Sequence, residues 1–114
     1  MAISVVFLDE AAQWFLGLEE GQAVKVTFYV DLLKEEGVTL GSPYSSALHG
    51  TEYAFRELRV KAPRSVIRIV YAFDPAQNAV VILGADKKGQ KQDRFYKQLI
   101  KQAERLWEEY LEEF

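Results

Sequence analysis

Three β-prone runs, 53–61, 66–73 and 79–87, follow one another with only Ala62-Pro63-Arg64-Ser65 and Asp74-Pro75-Ala76-Gln77-Asn78 between them. Alternating apolar and polar residues bounded by such turn formers predict strands joined by short reversals. The second half of the chain is thereby committed to an antiparallel β-meander. A bare three-stranded sheet buries too little, so flanking segments must cover its faces.

The flanks supply that cover. Residues 3–8 (ISVVFL) read as a short strand, and Asp9 as the N-cap of a helix with an apolar stripe of Ala11, Trp14, Phe15 and Leu18, ending between Gly17 and Gly21. A second helix is expected over 19–36, with Val24, Phe28 and Leu32 on one side, Val26, Val30 and Leu33 beside them, and Gly37 as its stop. Residues 37–52, rich in Gly and Ser, read as a long surface connection. From about Asp93 a last helix carries Leu99, Ala103, Leu106 and Tyr110 in one stripe, widened by Ile100, Trp107, Leu111 and Phe114. The expected fold is α+β: an N-terminal strand and helical hairpin packed on an antiparallel β-meander, with a C-terminal helix, in a single domain over 1–114. Nearly half of the 114 residues are apolar, enough for a core without staples.

The absence of cysteine removes disulfides, thiolate metal sites and cysteine nucleophiles, and His49 is the sole histidine, so neither a metal nor another cofactor is expected. The N-terminus meets acidic residues early and has no basic leader, and no apolar run reaches membrane-spanning length, so a cytoplasmic protein without membrane contact is expected. Net charge is −3, but it is segregated. Residues 1–55 hold two basic and eight acidic side chains, 56–101 hold eleven and four, and 102–114 hold one and five. A basic middle between acidic ends can focus positive potential on one surface, which suits a phosphate-rich partner such as RNA.

Closing the first hairpin on 62–65 pairs Lys61 with Val66, Val60 with Ile67, and Arg59 with Arg68. Registering Phe73 against Val80 then sets Arg68 opposite Ala85 and Lys87 opposite Val66. One face collects Leu58, Val60, Ile67, Ile69, Tyr71, Phe73, Val80 and Ile82, to be covered by the N-terminal helices. The other collects Arg59, Lys61, Arg68 and Lys87 at one end and Phe55, Val70, Ala72, Val81 and Leu83 at the other, with the last helix covering only the apolar end. Like charges opposite one another cost up to about 1 kcal/mol, which a polyanion would relieve, and arginine forks match phosphate oxygens.

Lys88 and Lys91 extend the positive strip toward the last helix, where Tyr96 lies near enough to Lys87 to stack on a base or exchange a proton. Histidine ordinarily titrates near neutrality, which makes His49 a reserve proton-transfer residue. Glu57, Asp86 and the acidic last helix are the available neutralisers of the basic groups. No phosphate-binding glycine loop or Gly-x-Ser-x-Gly elbow is present.

The runs GTEYAFRELR, IRIVYAFDP, ILGADKKG and RFYKQLIKQAERLWEEYL together resemble the phage-derived, HigB-like branch of the RelE/ParE toxin superfamily. The specific motifs are Glu57-Leu58-Arg59, Ala72 to Pro75, Asp86-Lys87 and Arg94-Phe95-Tyr96. The resemblance implies a RelE-like fold and the toxin of a type II toxin–antitoxin pair. It also implies a ribosome-dependent endoribonuclease that cuts mRNA without metal through the RNA's own 2′-hydroxyl, leaving a cyclic phosphate. Arg59, Arg68, Lys87 and Tyr96 become the expected catalytic set, with Lys61, Arg64, Lys88, Lys91, Arg94 and His49 as RNA contacts. The implied partners are mRNA on the ribosome and a cognate antitoxin with a helix-turn-helix DNA-binding domain. A non-catalytic gyrase inhibitor of the ParE kind, or a degenerate antitoxin-binding regulatory module, are the alternatives on the same scaffold.

Overall fold

The computed structural model describes residues 2–114. Strand β1 (Val5–Phe7) leads into helices α1 (Asp9–Leu16) and α2 (Glu20–Glu36), then a 3₁₀ turn at Gly37–Thr39 and strand β2 (Ser45–Ala47). Strands β3 (Arg56–Ala62), β4 (Ser65–Phe73) and β5 (Ala79–Asp86) form the meander, and α3 (Gln92–Glu112) ends the fold. Among the described residues the five strands make one sheet in the order β1-β5-β4-β3-β2, antiparallel except for the parallel β1–β5 pair. The α+β arrangement expected from the residues is the one observed.

The first helix starts differently from expectation. Leu8, not Asp9, is the N-cap, and no side chain caps it; Asp9 and Glu10 lie in the first turn, where carboxylates complement the helix dipole. Glu19 caps α2 through a reciprocal capping box with Gln22, and Gly37 ends it at φ +57, a conformation that favours glycine. Only the Val26, Val30, Leu33 stripe of α2 is buried, while Val24 and Phe28, expected beside it, are 62% and 56% exposed. The segment 37–52 is less open than expected. Ser45–Ala47 pair with β3 as an edge strand, and Leu40, Ser45 and Leu48 are buried. Serines hid this strand, because β2 is held by backbone pairing rather than by an apolar pattern.

The first hairpin has the expected register: Arg59 faces Arg68, Val60 faces Ile67 and Lys61 faces Val66. The second keeps Arg68 opposite Ala85 but slips beyond Val70, where Leu83 is followed by Val81 across the ladder and Ile82 is the extra residue of a β-bulge. Phe73 therefore meets Ala79, not Val80, and pairing stops at Asp86, short of a Lys87–Val66 pair. The slip reverses three side chains. Val80 and Ile82 join the core under α3, and Val81 joins the core under α1 and α2.

Two hydrophobic layers result. Leu58, Val60, Ile67, Ile69 and Tyr71 pack with Ala11, Val26, Val30 and Leu33, while Phe55, Val70, Ala72 and Leu83 pack with Phe95, Leu99, Ala103, Leu106 and Trp107. Phe114, expected on the α3 stripe, is exposed. Gly84 allows the first layer to close: a Cβ there would stand 2.5 Å from ring atoms of Trp14. At the far end of the sheet Asp74 accepts hydrogen bonds from the backbones of Ala76 and Asn78, the Asn78 amide and the Tyr110 hydroxyl, tying the β4–β5 turn to α3. Burial alone would raise the Asp74 carboxyl, but these donors outweigh it and hold the group below its ordinary value. No helix among the described residues is long and apolar enough to cross a membrane.

Candidate functional site

From Phe55, just before β3, the face toward α3 runs through Glu57, Arg59 and Lys61, changing from buried to exposed along the chain. Glu57 lies opposite Val70 and is only 5% exposed, so a carboxylate occupies a position otherwise suited to a core side chain. Arg68 on the neighbouring strand is 7% exposed. The first turns of α3 bring Tyr96 over both. Arg68 donates from Nε to the Tyr96 hydroxyl at 2.8 Å and from Nη1 to the Val66 carbonyl at 3.3 Å. Tyr96 in turn donates to Glu57 Oε1 at 3.0 Å. Arg59 stays half exposed, with Nε 3.9 Å from the same carboxylate oxygen. The second oxygen, Glu57 Oε2, is buried and has no hydrogen-bond partner.

Burial raises the Glu57 carboxyl above its ordinary value, against the opposing pull of the Tyr96 hydroxyl, Arg68 and Arg59. Burial also raises the Tyr96 phenol; Arg68 opposes that rise and Glu57 adds to it. A cleft of about 300 Å³ opens beside the cluster, lined by Ala47, Leu48, His49, Glu57, Arg59, Gln92 and Tyr96. The segment carrying His49 is anchored on α3: Thr51 donates to Glu104 at 2.7 Å and the Tyr53 hydroxyl donates to Glu108. The hydrogen bond to Glu108 is the main cause that pushes the Tyr53 phenol up to about 12.

The expected catalytic set is thus gathered in part. Arg59, Arg68 and Tyr96 converge, but Arg68 is an internal strut, and the tension between the two arginines is eased by Glu57 and Tyr96 without any polyanion. The last helix also reaches the charged end of the sheet through Tyr96, beyond its expected apolar cover. Lys87 is half-buried past the end of β5 and, among the described residues, makes no side-chain hydrogen bond to the other three. Lys61 is exposed farther along β3. His49 lines the Glu57 cleft, whereas Lys91 and Arg94 line a separate hollow of about 540 Å³ with Gln90 and Gln98. Arg64, at φ +60 in the hairpin turn, lines a third with Lys88, Asp86, Glu19 and Gln22. The single positive strip is three neighbouring features.

Glu57 is the site residue that composition concealed, since an acidic group among bases read as a neutraliser. Its signal was positional: it shares strand parity with Phe55 and faces Val70. Among the described residues no three His, Cys, Asp or Glu side chains are grouped to hold a metal ion.

This architecture is that of the RelE toxins. It matches free Escherichia coli RelE, solved as a double arginine-to-alanine mutant, with TM-score 0.59 over 77% of this chain and 86% of that one. It also matches a chain of the Mycobacterium tuberculosis RelBE2 toxin–antitoxin complex, with TM-score 0.57 over 75% and 99%. A chain of the Pyrococcus horikoshii RelE–RelB complex gives 0.56 over 78% and 99%. Identity is 16% in each, so these show the fold alone.

Sequence takes the assignment further. Residues 13–108 match the family model described as phage derived protein Gp49-like. A Mycobacterium tuberculosis protein described as a candidate toxin, HigB3, is 39% identical over 88 residues, 76% of this chain and 75% of that protein. A second from the same organism, described as a candidate toxin HigB2, is 31% identical over 109 residues; the match takes in 94% of this chain but 54% of that longer protein. The chain belongs to the phage-derived Gp49-like family, and within it to toxins of the RelE/HigB type.

Proposed function

We propose that this toxin is a metal-independent endoribonuclease that cuts mRNA on the ribosome and so arrests translation. The observation that carries the reading is the cleft in which a buried carboxylate, a half-exposed arginine, a tyrosine hydroxyl and an imidazole border one space. Cleavage through a 2′-hydroxyl needs a proton acceptor, a proton donor and a cation to follow the charge building on phosphorus. In this reading Arg59 contacts the phosphate, supported by its half-exposed guanidinium beside the carboxylate. Arg68 acts from beneath by orienting Tyr96. Lys61, Lys87, Lys91 and Arg94 supply a basic surround for the RNA backbone on either side.

The cognate antitoxin is the natural inhibitor, since the RelBE2 and Pyrococcus structures similar to this chain are toxin–antitoxin complexes. The deciding experiment incubates purified protein with programmed ribosomes and maps mRNA ends, with a gyrase supercoiling assay in parallel. New ends bearing 2′,3′-cyclic phosphate with unchanged supercoiling are expected. Intact mRNA together with blocked supercoiling would overturn the reading in favour of a ParE-like inhibitor.

A further inference from the structure

Glu57 borders the cleft without an assigned chemical step, yet it is the most unusual group there. Its carboxylate is buried, one oxygen is held by Tyr96, and the other has no partner. A fully satisfied structural carboxylate would have a partner for each buried oxygen, and an ordinary core position would be apolar. What remains is an incompletely satisfied carboxylate, with Oε2 sealed beneath and Oε1 beside Tyr96 and Arg59, which line the cleft with it.

We propose, resting on the ribonuclease reading, that Glu57 is the catalytic base that takes the 2′-hydroxyl proton, that Tyr96 and Arg68 are its positioning residues, and that His49 is the acid. In the step, the 2′-oxygen forms its bond to phosphorus as its proton passes to Glu57 Oε1, the oxygen beside the cleft-lining Tyr96 and Arg59. The P–O5′ bond breaks with its electron pair going to the 5′-oxygen, and His49 as imidazolium protonates that oxygen. The products are a 2′,3′-cyclic phosphate and a 5′-hydroxyl, with the carboxyl of Glu57 and the neutral imidazole returned to their starting forms by solvent. No oxidant or metal enters the balance.

The charged and titratable groups facing Glu57 come from every side of the site: Arg59 on its own strand, Arg68 on β4, Tyr96 on α3, with His49 across the cleft. Burial lifts the carboxyl toward the working pH, which makes it a stronger proton acceptor than an exposed glutamate. Loss of a positioned base typically costs about 10²–10⁴-fold in rate.

The test compares wild type, Glu57→Gln, Tyr96→Phe and His49→Ala on ribosome-bound mRNA, with circular dichroism and melting curves as fold controls. One mRNA carries sulfur in place of the bridging 5′-oxygen at a mapped cut. Thiolate leaves without protonation, so this substrate should restore His49→Ala and leave Glu57→Gln slow. In the ordinary substrate Glu57→Gln should lose about 10²–10⁴-fold and the acid limb of the pH–rate profile with it, whereas Tyr96→Phe should keep that limb at a shifted pH. Full activity of folded Glu57→Gln, with wild type cleaving normally, would overturn the assignment and leave the ribonuclease reading standing. Rescue of Glu57→Gln by the sulfur substrate would reverse the two roles and also overturn it. A wild type that cuts no RNA under any condition would remove both.

Discussion

A buried base that works as proposed must cost the fold something, and the cost has a sign that depends on pH. The Glu57 carboxyl is raised in the folded state, so the native protein binds the proton more tightly than the unfolded chain does. Stability from this group is therefore full below the unfolded value, about 4.3, and is lost as pH rises through the folded value. Above that window the ionised carboxylate is buried with Oε2 unpaired, a situation that costs about 1–3 kcal/mol. Glu57→Gln keeps an acceptor for the Tyr96 hydroxyl and removes the charge. The variant should gain on wild type as pH rises from 4 to 8, by about 1–2 kcal/mol at the upper end after its own amide is partly unsatisfied. For a chain of this length that is roughly 4–8 °C in Tm. Differential scanning calorimetry of both proteins in matched buffers at several pH values reads the difference directly. A gap that is flat across the range, or a wild type that gains on the variant toward pH 8, would refute the reasoning.

Other consequences are sharp enough to measure. Arg59→Ala should abolish growth arrest with unfolding free energy within about 1 kcal/mol of wild type, because its side chain is half exposed and its ion pair is long. Arg68→Ala should instead lower stability by about 2–4 kcal/mol, since it strips a buried donor from Tyr96 and leaves a cavity; urea titration separates the two. Gly84→Ala drives a methyl into the Trp14 ring and should cost about 1–3 kcal/mol, with relief in the Gly84→Ala, Trp14→Leu double variant. Asp74 has the opposite linkage to Glu57: its depressed carboxyl stabilises above the unfolded value near 3.9, and that contribution is lost as pH falls through the folded value. Asp74→Asn should lose about 1–3 kcal/mol at pH 7 and show a shallower decline in acid, by melting curves between pH 2 and 7.

The meander was legible because its signals are local: turn formers at fixed spacing and alternating apolar residues set the Arg59–Arg68 pairing before any long-range contact is considered. The bulge at Ile82 was not, since Val80, Val81, Ile82 and Leu83 are all apolar and no alternation fixes which of them faces α3. On α2 the exposed Val24 and Phe28 broaden the apolar pattern beyond the face that packs, so periodicity marked the helix without choosing its orientation. The site was half visible. Clustering of charge pointed to β3 and β4, where the candidate cluster lies, but whether an arginine is presented or buried depends on α3, whose approach brings a tyrosine between Arg68 and Glu57. A carboxylate in that place looks like a neutraliser until its second oxygen is found without a partner.

The dependence on α3 bears on how such a protein could be silenced. Tyr96 is carried between Phe95 and Leu99, two buried residues of the helix that closes half of the core. An inhibitor that lifted α3 would break the Arg68–Tyr96–Glu57 chain, release the His49 segment from Glu104 and Glu108, and uncover Phe55, Val70, Ala72 and Leu83. That exposure costs about 25 cal/mol for each Å² of apolar surface, so the inhibitor would have to lay a comparable apolar face on the sheet. One that capped the cleft from outside would need an anion for Arg59, the cation that lines it, and would leave the internal chain formed. The two modes differ at Tyr96: its hydroxyl stays shielded by Arg68 and Glu57 under a cap, and becomes free to exchange and titrate like an ordinary phenol once the helix is displaced.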